Sequence, residues 1–219
     1  MSTASSQSRR KILLLVQFSL LLAIEAIVCF TPLGSLPALG PIVATLSHIP
    51  VVLTAVLLGT GAGAAMGFMF GLFSFIVWTF TPPSPVIAFV FTPFYSLGEI
   101  EGNFWSLVIC FVPRILIGVV TGLCLSLLKK LTERYKKLNV PVYAVSGFLG
   151  SLANTIFVLA GIYLFFGKQY AFAIDLSYTL LLGLIGTTIL TSGIPEAVLA
   201  AVFAISVGIP LKKFIEKQR

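Results

Sequence analysis

Residues 42–80 read IVATLSHIPVVLTAVLLGTGAGAAMGFMFGLFSFIVWTF, a run of aliphatic, aromatic and small side chains without a single formal charge. The run belongs to a longer uncharged segment, residues 26–98, which Pro and Gly divide into pieces near the about 20 residues that a membrane-crossing helix needs. A soluble domain carries about 25% charged residues. Here 10% of the 219 residues are charged, 58% are hydrophobic and the mean hydropathy is +1.08. The composition therefore predicts an all-α integral membrane protein, multi-pass in the cell membrane, with no room for a soluble catalytic domain.

The charges outside that segment orient it. All fourteen basic residues except Arg114 and Lys168 fall in three clusters: Arg9, Arg10 and Lys11; Lys129, Lys130, Arg134, Lys136 and Lys137; and Lys212, Lys213, Lys217 and Arg219. Lys and Arg beside membrane spans mark the cytoplasmic side, so both termini and the central break are expected inside. A net charge of +7 on a soluble protein would suggest nucleic acid. Confined to helix ends, it reads instead as topology and contact with anionic lipid, and no nucleic-acid binding is expected.

Six spanning helices follow, at about 11–30, 42–58, 62–80, 105–128, 142–166 and 194–214, forming one membrane domain over residues 11–215 between tails 1–10 and 216–219. Arg9, Arg10 and Lys11 precede the first span with no small-residue cleavage site after it, so that span is expected to be retained. Pro32, Gly34, Pro37, Gly40 and Pro41 should form an outer loop, and Gly59–Gly61 a tight turn. Gly63, Gly67 and Gly71 should let a neighbouring helix approach closely. From Pro82 to Asn103 a long outer loop is expected, and loops of that length are usually functional. Residues 170–190 are apolar, but a seventh crossing there would put the last basic cluster outside. They are read as an outer interfacial or partly inserted element, with Ser192–Pro195 opening the last helix.

Chemistry-bearing residues inside the spans are few. Glu25, His48, Arg114 and Glu196 are the ionisable ones, and such a group in lipid needs a partner or an aqueous cavity. Arg114 lies about ten residues into the fourth span, roughly 15 Å along its axis. That depth suits a pocket open to the outside, while a structural ion pair with Glu196 or Glu25 remains the alternative. Pro113 before it frees a backbone carbonyl, tolerated where water or protein can satisfy it. Glu196, in the first turn of the last helix, has a helix-dipole role as its plainer reading; Glu25 would snorkel outward or pair. Asn154, beside Thr155, faces either other helices or a cavity. His48 is a core polar residue, a ligand contact or a proton relay. Trp78, Phe80, Phe91, Phe94, Tyr95 and Trp105 form an interfacial aromatic belt or a lid.

Enzyme signatures are missing: no GxSxG, HExxH or Walker motif occurs, so no catalytic residue is expected and ATP cannot be bound by that route. One histidine cannot build a two-histidine metal site, and Cys29, Cys110 and Cys124 form no CxxC pair. Neither metal nor cofactor is expected, and the cysteines read as buried small hydrophobes.

The run His48-Ile49-Pro50-Val51-Val52, the turn at Gly59, residues 67–74, Pro113-Arg114-Ile115-Leu116-Ile117-Gly118, Asn154-Thr155 and Gly193-Ile194-Pro195-Glu196-Ala197 together resemble the S component of an energy-coupling-factor (ECF) vitamin transporter, most similar to the pantothenate type. The resemblance implies a membrane subunit that captures a vitamin from outside and associates with a transmembrane coupling subunit (the T component) and two cytosolic ATPases. It implies ligand contacts at Arg114, Asn154, Glu196 and His48, with Arg114 on a carboxylate and Asn154 on a hydroxyl or amide. It also implies a partner-binding stripe on the first helix. The nearest match to the family's AxxxA pattern is Ser19 and Ala23, with Ala26 adjoining, and Ser stands where the first Ala is usual. Folate, riboflavin or cobalamin are alternative substrates. A stand-alone secondary carrier using Glu25, His48 and Glu196 as a proton path, or a ligand-free scaffold, are alternative functions.

Overall fold

The computed structural model describes the backbone of residues 2–31, 46–132 and 139–217, and the side chains of residues 7–31, 46–132, 140–215 and 217. The first outer loop, the start of the second predicted span and the basic residues Arg134, Lys136 and Lys137 lie outside these ranges.

The chain is an all-α membrane protein, with one small β-hairpin among the described residues. Eight α-helices occur among the described residues: α1 (Ser2–Phe30), α2 (Ile49–Leu58), α3 (Thr60–Phe80), α4 (Phe104–Leu131), α5 (Asn139–Ala173), α6 (Leu181–Thr188), α7 (Ile194–Phe203) and α8 (Ile209–Lys217). Among the described residues, five helical stretches are long and apolar enough to cross a membrane: Gln7–Phe30, Thr60–Phe80, Phe104–Leu131, Val140–Ala173 and Tyr178–Ile215.

The second predicted span differs. In its described part, residues 46–48 form a bend and turn, and α2 is only 10 residues long, or about 15 Å against a hydrocarbon core of about 30 Å. Pro50 explains the late start, since a proline in the first turn needs no amide hydrogen. Ile49 to Leu57 are all buried. A helix apolar on every side is stable when protein surrounds it, and α2 is the centre of the bundle. It ends at Gly59, whose φ of +99° is open to glycine alone at little cost. Lys212 Nζ, from α8, donates to the Val56 and Leu57 carbonyls at 3.2 and 2.8 Å and satisfies the end of α2.

Between α3 and α4 the backbones nearly touch. A Cβ on Gly63 would meet the Gly118 backbone at 3.1 Å, and one on Gly67 would collide with the Arg114 carbonyl. Lipid offers no hydrophobic drive between helices, so this contact area is what holds them together.

The last helical stretch begins well before residue 194. Residues 170–173 complete α5, a short turn follows, and from Tyr178 the chain is helical to Lys217. Gly193-Ile194-Pro195 does not interrupt it, and Gly208-Ile209-Pro210 repeats the pattern further on. A proline within an α-helix crowds the carbonyl four residues earlier and leaves it without a donor. Here each proline is preceded by a π-helical turn, Ile189–Gly193 and Ala204–Gly208, whose wider spacing makes room.

The expected long loop after α3 is a packed cap. Pro85–Val90 forms a 3₁₀-helix in which Ile87 to Val90 are buried, and a small hairpin pairs β1 (Ser96–Leu97) with β2 (Ile100–Glu101). Ser106 Oγ donates to the Phe89 carbonyl at 2.7 Å, tying the cap to α4. Among the described residues the core consequently has two parts. One gathers Val52, Val56, Met66, Phe70, Ile117 and Tyr143; the other gathers Phe89, Phe91, Ile109, Leu159, Phe166 and Leu181.

Candidate functional site

A cavity of about 160 Å³ is walled by α1, α3, α4, α5, the last helical stretch and the cap. Its apolar surface comes from residues such as Phe70, Val77, Ile87, Val158, Leu159 and Ile162. Against this background the polar groups stand out. They are Arg114, Asn154 and Glu196, and the hydroxyls of Thr31, Ser47, Ser74, Thr155, Thr188 and Ser192. A concave apolar site with a few convergent polar groups is the usual form of a small-molecule pocket.

Arg114 is 7% exposed. Nη1 donates to the Ile109 carbonyl at 2.9 Å, and the guanidinium carbon lies 5.7 Å from the Phe70 ring centre and 5.2 Å from that of Phe91. Both rings are within cation–π range, which favours a charge held away from bulk water. Nε is buried with no hydrogen-bond partner among the described residues.

Two further predicted residues share this cavity. Asn154 contributes a buried Oδ1 that lacks a partner among the described residues. Glu196 stands one turn past the π-helical Ile189–Gly193, and Ser192 and Gly193 of that turn also line the wall. Gly193 matters because a Cβ there would lie 2.8 Å from the Thr155 methyl, so the last helix can approach α5 closely at this level. π-turns are often found at functional sites; here one turns polar groups of a helix toward a cavity.

His48 is placed differently. It is not among the residues lining the cavity; it is buried, with Nε2 3.3 Å from the Glu196 carbonyl, while its neighbour Ser47 reaches the wall. Glu25 does not snorkel. It is fully buried and accepts a hydrogen bond from Cys29 Sγ at 3.3 Å, and Cys29 itself lines the cavity.

The aromatic residues divide between the two readings. Phe80 and Phe94 are more than three-quarters exposed, as interfacial residues are. Trp78 and Phe91 stack with centres 4.5 Å apart and cover the cavity beside Pro83 and Ile87. Sequence reasoning overlooked Cys29, Ser74, Thr188 and Ser192. Hydroxyls in apolar helices commonly bond their own backbone, and Thr188 does so, to the Leu184 carbonyl at 2.8 Å. Nothing in the sequence separates such a residue from one facing a pocket.

On the first helix Ser19 and Ala23 are exposed and Ala26 is half-buried. Ile12, Leu15, Val16, Leu20 and Ile27 are exposed alongside them.

The family model described as ECF transporter, substrate-specific component, matches residues 13–208. The chain is also 33% identical, over 171 residues, to a protein of Lactococcus lactis subsp. cremoris (strain MG1363) named pantothenic acid transporter PanT; the match covers 76% of each sequence.

Proposed function

The chain belongs to the substrate-specific (S) components of ECF transporters, and from that premise we propose that the vitamin it binds is pantothenate. The observation that carries this reading is one guanidinium, among the described residues, in an apolar cavity whose other polar groups are hydroxyls, the Asn154 amide and the Glu196 carboxylate. Pantothenate has one carboxylate, an amide, two hydroxyls and a geminal dimethyl group. Arg114 takes the carboxylate, because a guanidinium matches its geometry with two parallel donors. Asn154 meets a hydroxyl or the amide, and Val158, Leu159 and Ile87 offer the branched carbon its apolar contact. Glu196 accepts from a ligand hydroxyl, and His48 acts from behind it through the Glu196 carbonyl. The relative's name supports the choice of vitamin.

Both termini face the cytoplasm in this reading, with six membrane segments counting the short α2; the support is the distribution of Lys and Arg. The protein works as a binding subunit in a complex with a T component and two cytosolic ATPases that supply the energy. Ser19, Ala23 and Ala26 on α1 form the docking stripe, small residues that allow close helix approach.

Uptake of radiolabelled pantothenate tests this in a host lacking its own importer. Accumulation should require this chain together with a T component and both ATPases, and should stop when an ATPase is inactivated. Uptake by this chain alone, driven by a proton gradient, would refute it.

A further inference from the structure

Pro113 lies inside α4, so the carbonyl four residues earlier receives no amide hydrogen from it and is crowded by its ring. That carbonyl belongs to Ile109, which is only 2% exposed. In a hydrocarbon surrounding, a peptide oxygen left without a donor is costly unless another group reaches it. The donor is the next residue along: Arg114 Nη1 bonds the Ile109 oxygen at 2.9 Å. Side chains on a helix lean toward its N-terminus, so a guanidinium five residues on passes close to this carbonyl. Pro113 supplies the vacant acceptor that stops it there.

The surrounding backbone is held as well. Gly67 of α3 packs directly on the Arg114 carbonyl, and Cys110 Sγ donates to the Gly71 carbonyl at 3.5 Å. The acceptor at Ile109 and the Cα of Arg114 thus sit on a segment with little freedom to drift. Phe70 and Phe91 then border the guanidinium. One nitrogen is tied back to the helix, while Nε remains without a protein partner among the described residues.

We propose that Pro113 is a positioning residue for anion recognition: by vacating the Ile109 carbonyl it fixes the Arg114 guanidinium, leaving its remaining N–H groups for the ligand's carboxylate. The inference rests on the reading of Arg114 as the carboxylate contact. The advantage is preorganisation, since a long side chain ordered during folding need not be ordered again on binding.

Pro113→Ala is the test, with two ligands titrated calorimetrically into the purified full chain: pantothenate, and pantothenol, the neutral analogue with a CH2OH group where pantothenate has its carboxylate. Alanine restores the N–H and suits a helix better than proline, so the variant is expected to fold, and pantothenol binding reports that it has. Pantothenate affinity should fall roughly two- to twelvefold, the range for ordering one long side chain on binding, and pantothenol affinity should stay at its wild-type value. Wild-type affinity for pantothenate, or equal losses for both ligands, would overturn the inference. Arg114→Ala serves as the reference. If it keeps wild-type affinity for pantothenate, the carboxylate reading itself has failed and the inference falls with it. If it loses affinity while Pro113→Ala does not, the positioning role alone is wrong.

Discussion

Gly67→Ala places one methyl group between α3 and α4 beside the proposed carboxylate contact. An ideal Cβ at Gly67 lies 2.8 Å from both the Arg114 carbonyl carbon and the Ile115 Cα, and closer to the Arg114 carbonyl oxygen. Carbon atoms approach comfortably at about 3.5 Å, so the helices must part by at least about 0.7 Å. Every colliding atom is backbone, and no change of rotamer relieves it. Overpacking of this kind costs about 1–3 kcal/mol. Gly61→Ala is the matched control, since a Cβ there has nothing within 4 Å. The intrinsic preference of a helix for Ala over Gly favours both variants, and their difference isolates the collision. At about 2–4 °C per kcal/mol for a chain of this size, Gly67→Ala should melt about 2–12 °C below Gly61→Ala in a thermal-unfolding assay in detergent. The shift should come with weakened pantothenate binding, because the displaced backbone carries Arg114. A Gly67→Ala protein melting with Gly61→Ala, or above it, would refute the close-packing argument.

Arg114→Ala should lower pantothenate affinity roughly 10- to 150-fold in calorimetric titration, the range for a hydrogen bond to a charged group. Asn154→Leu removes a neutral partner and should cost roughly 2- to 12-fold in the same titration. Ala23→Leu widens the exposed stripe of α1 away from the cavity; it should abolish co-purification with the T component while leaving pantothenate affinity intact.

Much of the architecture was legible because lipid leaves few options. Uncharged runs near helix length, bounded by Lys and Arg, define membrane helices, and Gly63 and Gly67 announced the close approach that the structure has. What escaped reading was local geometry. Gly193-Ile194-Pro195 looks like a helix start, but a π-turn absorbs the proline, and no pattern of residue types distinguishes the two. Residues 86–90, VIAFV, are too short a run for their period to separate a lid from a loose loop, yet they lie in a 3₁₀-helix that buries Ile87 to Val90. In the second span, Leu46, Ser47 and His48 form a bend and turn, and the described helix begins at Ile49 with Pro50 in its first turn. Of the proposed ligand contacts, Arg114, Asn154 and Glu196 were visible as polar groups that hydrocarbon would not tolerate unpaired. The same argument flagged Glu25, which is buried against Cys29 rather than in the cavity wall. Cost in lipid reveals that a polar residue has a purpose, and only geometry distinguishes a ligand contact from an internal one.

The most direct test is a thermal-shift screen of the purified protein against a panel of water-soluble vitamins. A ligand at 100 times its dissociation constant adds about 2.7 kcal/mol of apparent stability. The account predicts a concentration-dependent rise in melting temperature with pantothenate and none with folate, riboflavin or cobalamin. Stabilisation by one of those vitamins, with no response to pantothenate, would contradict it.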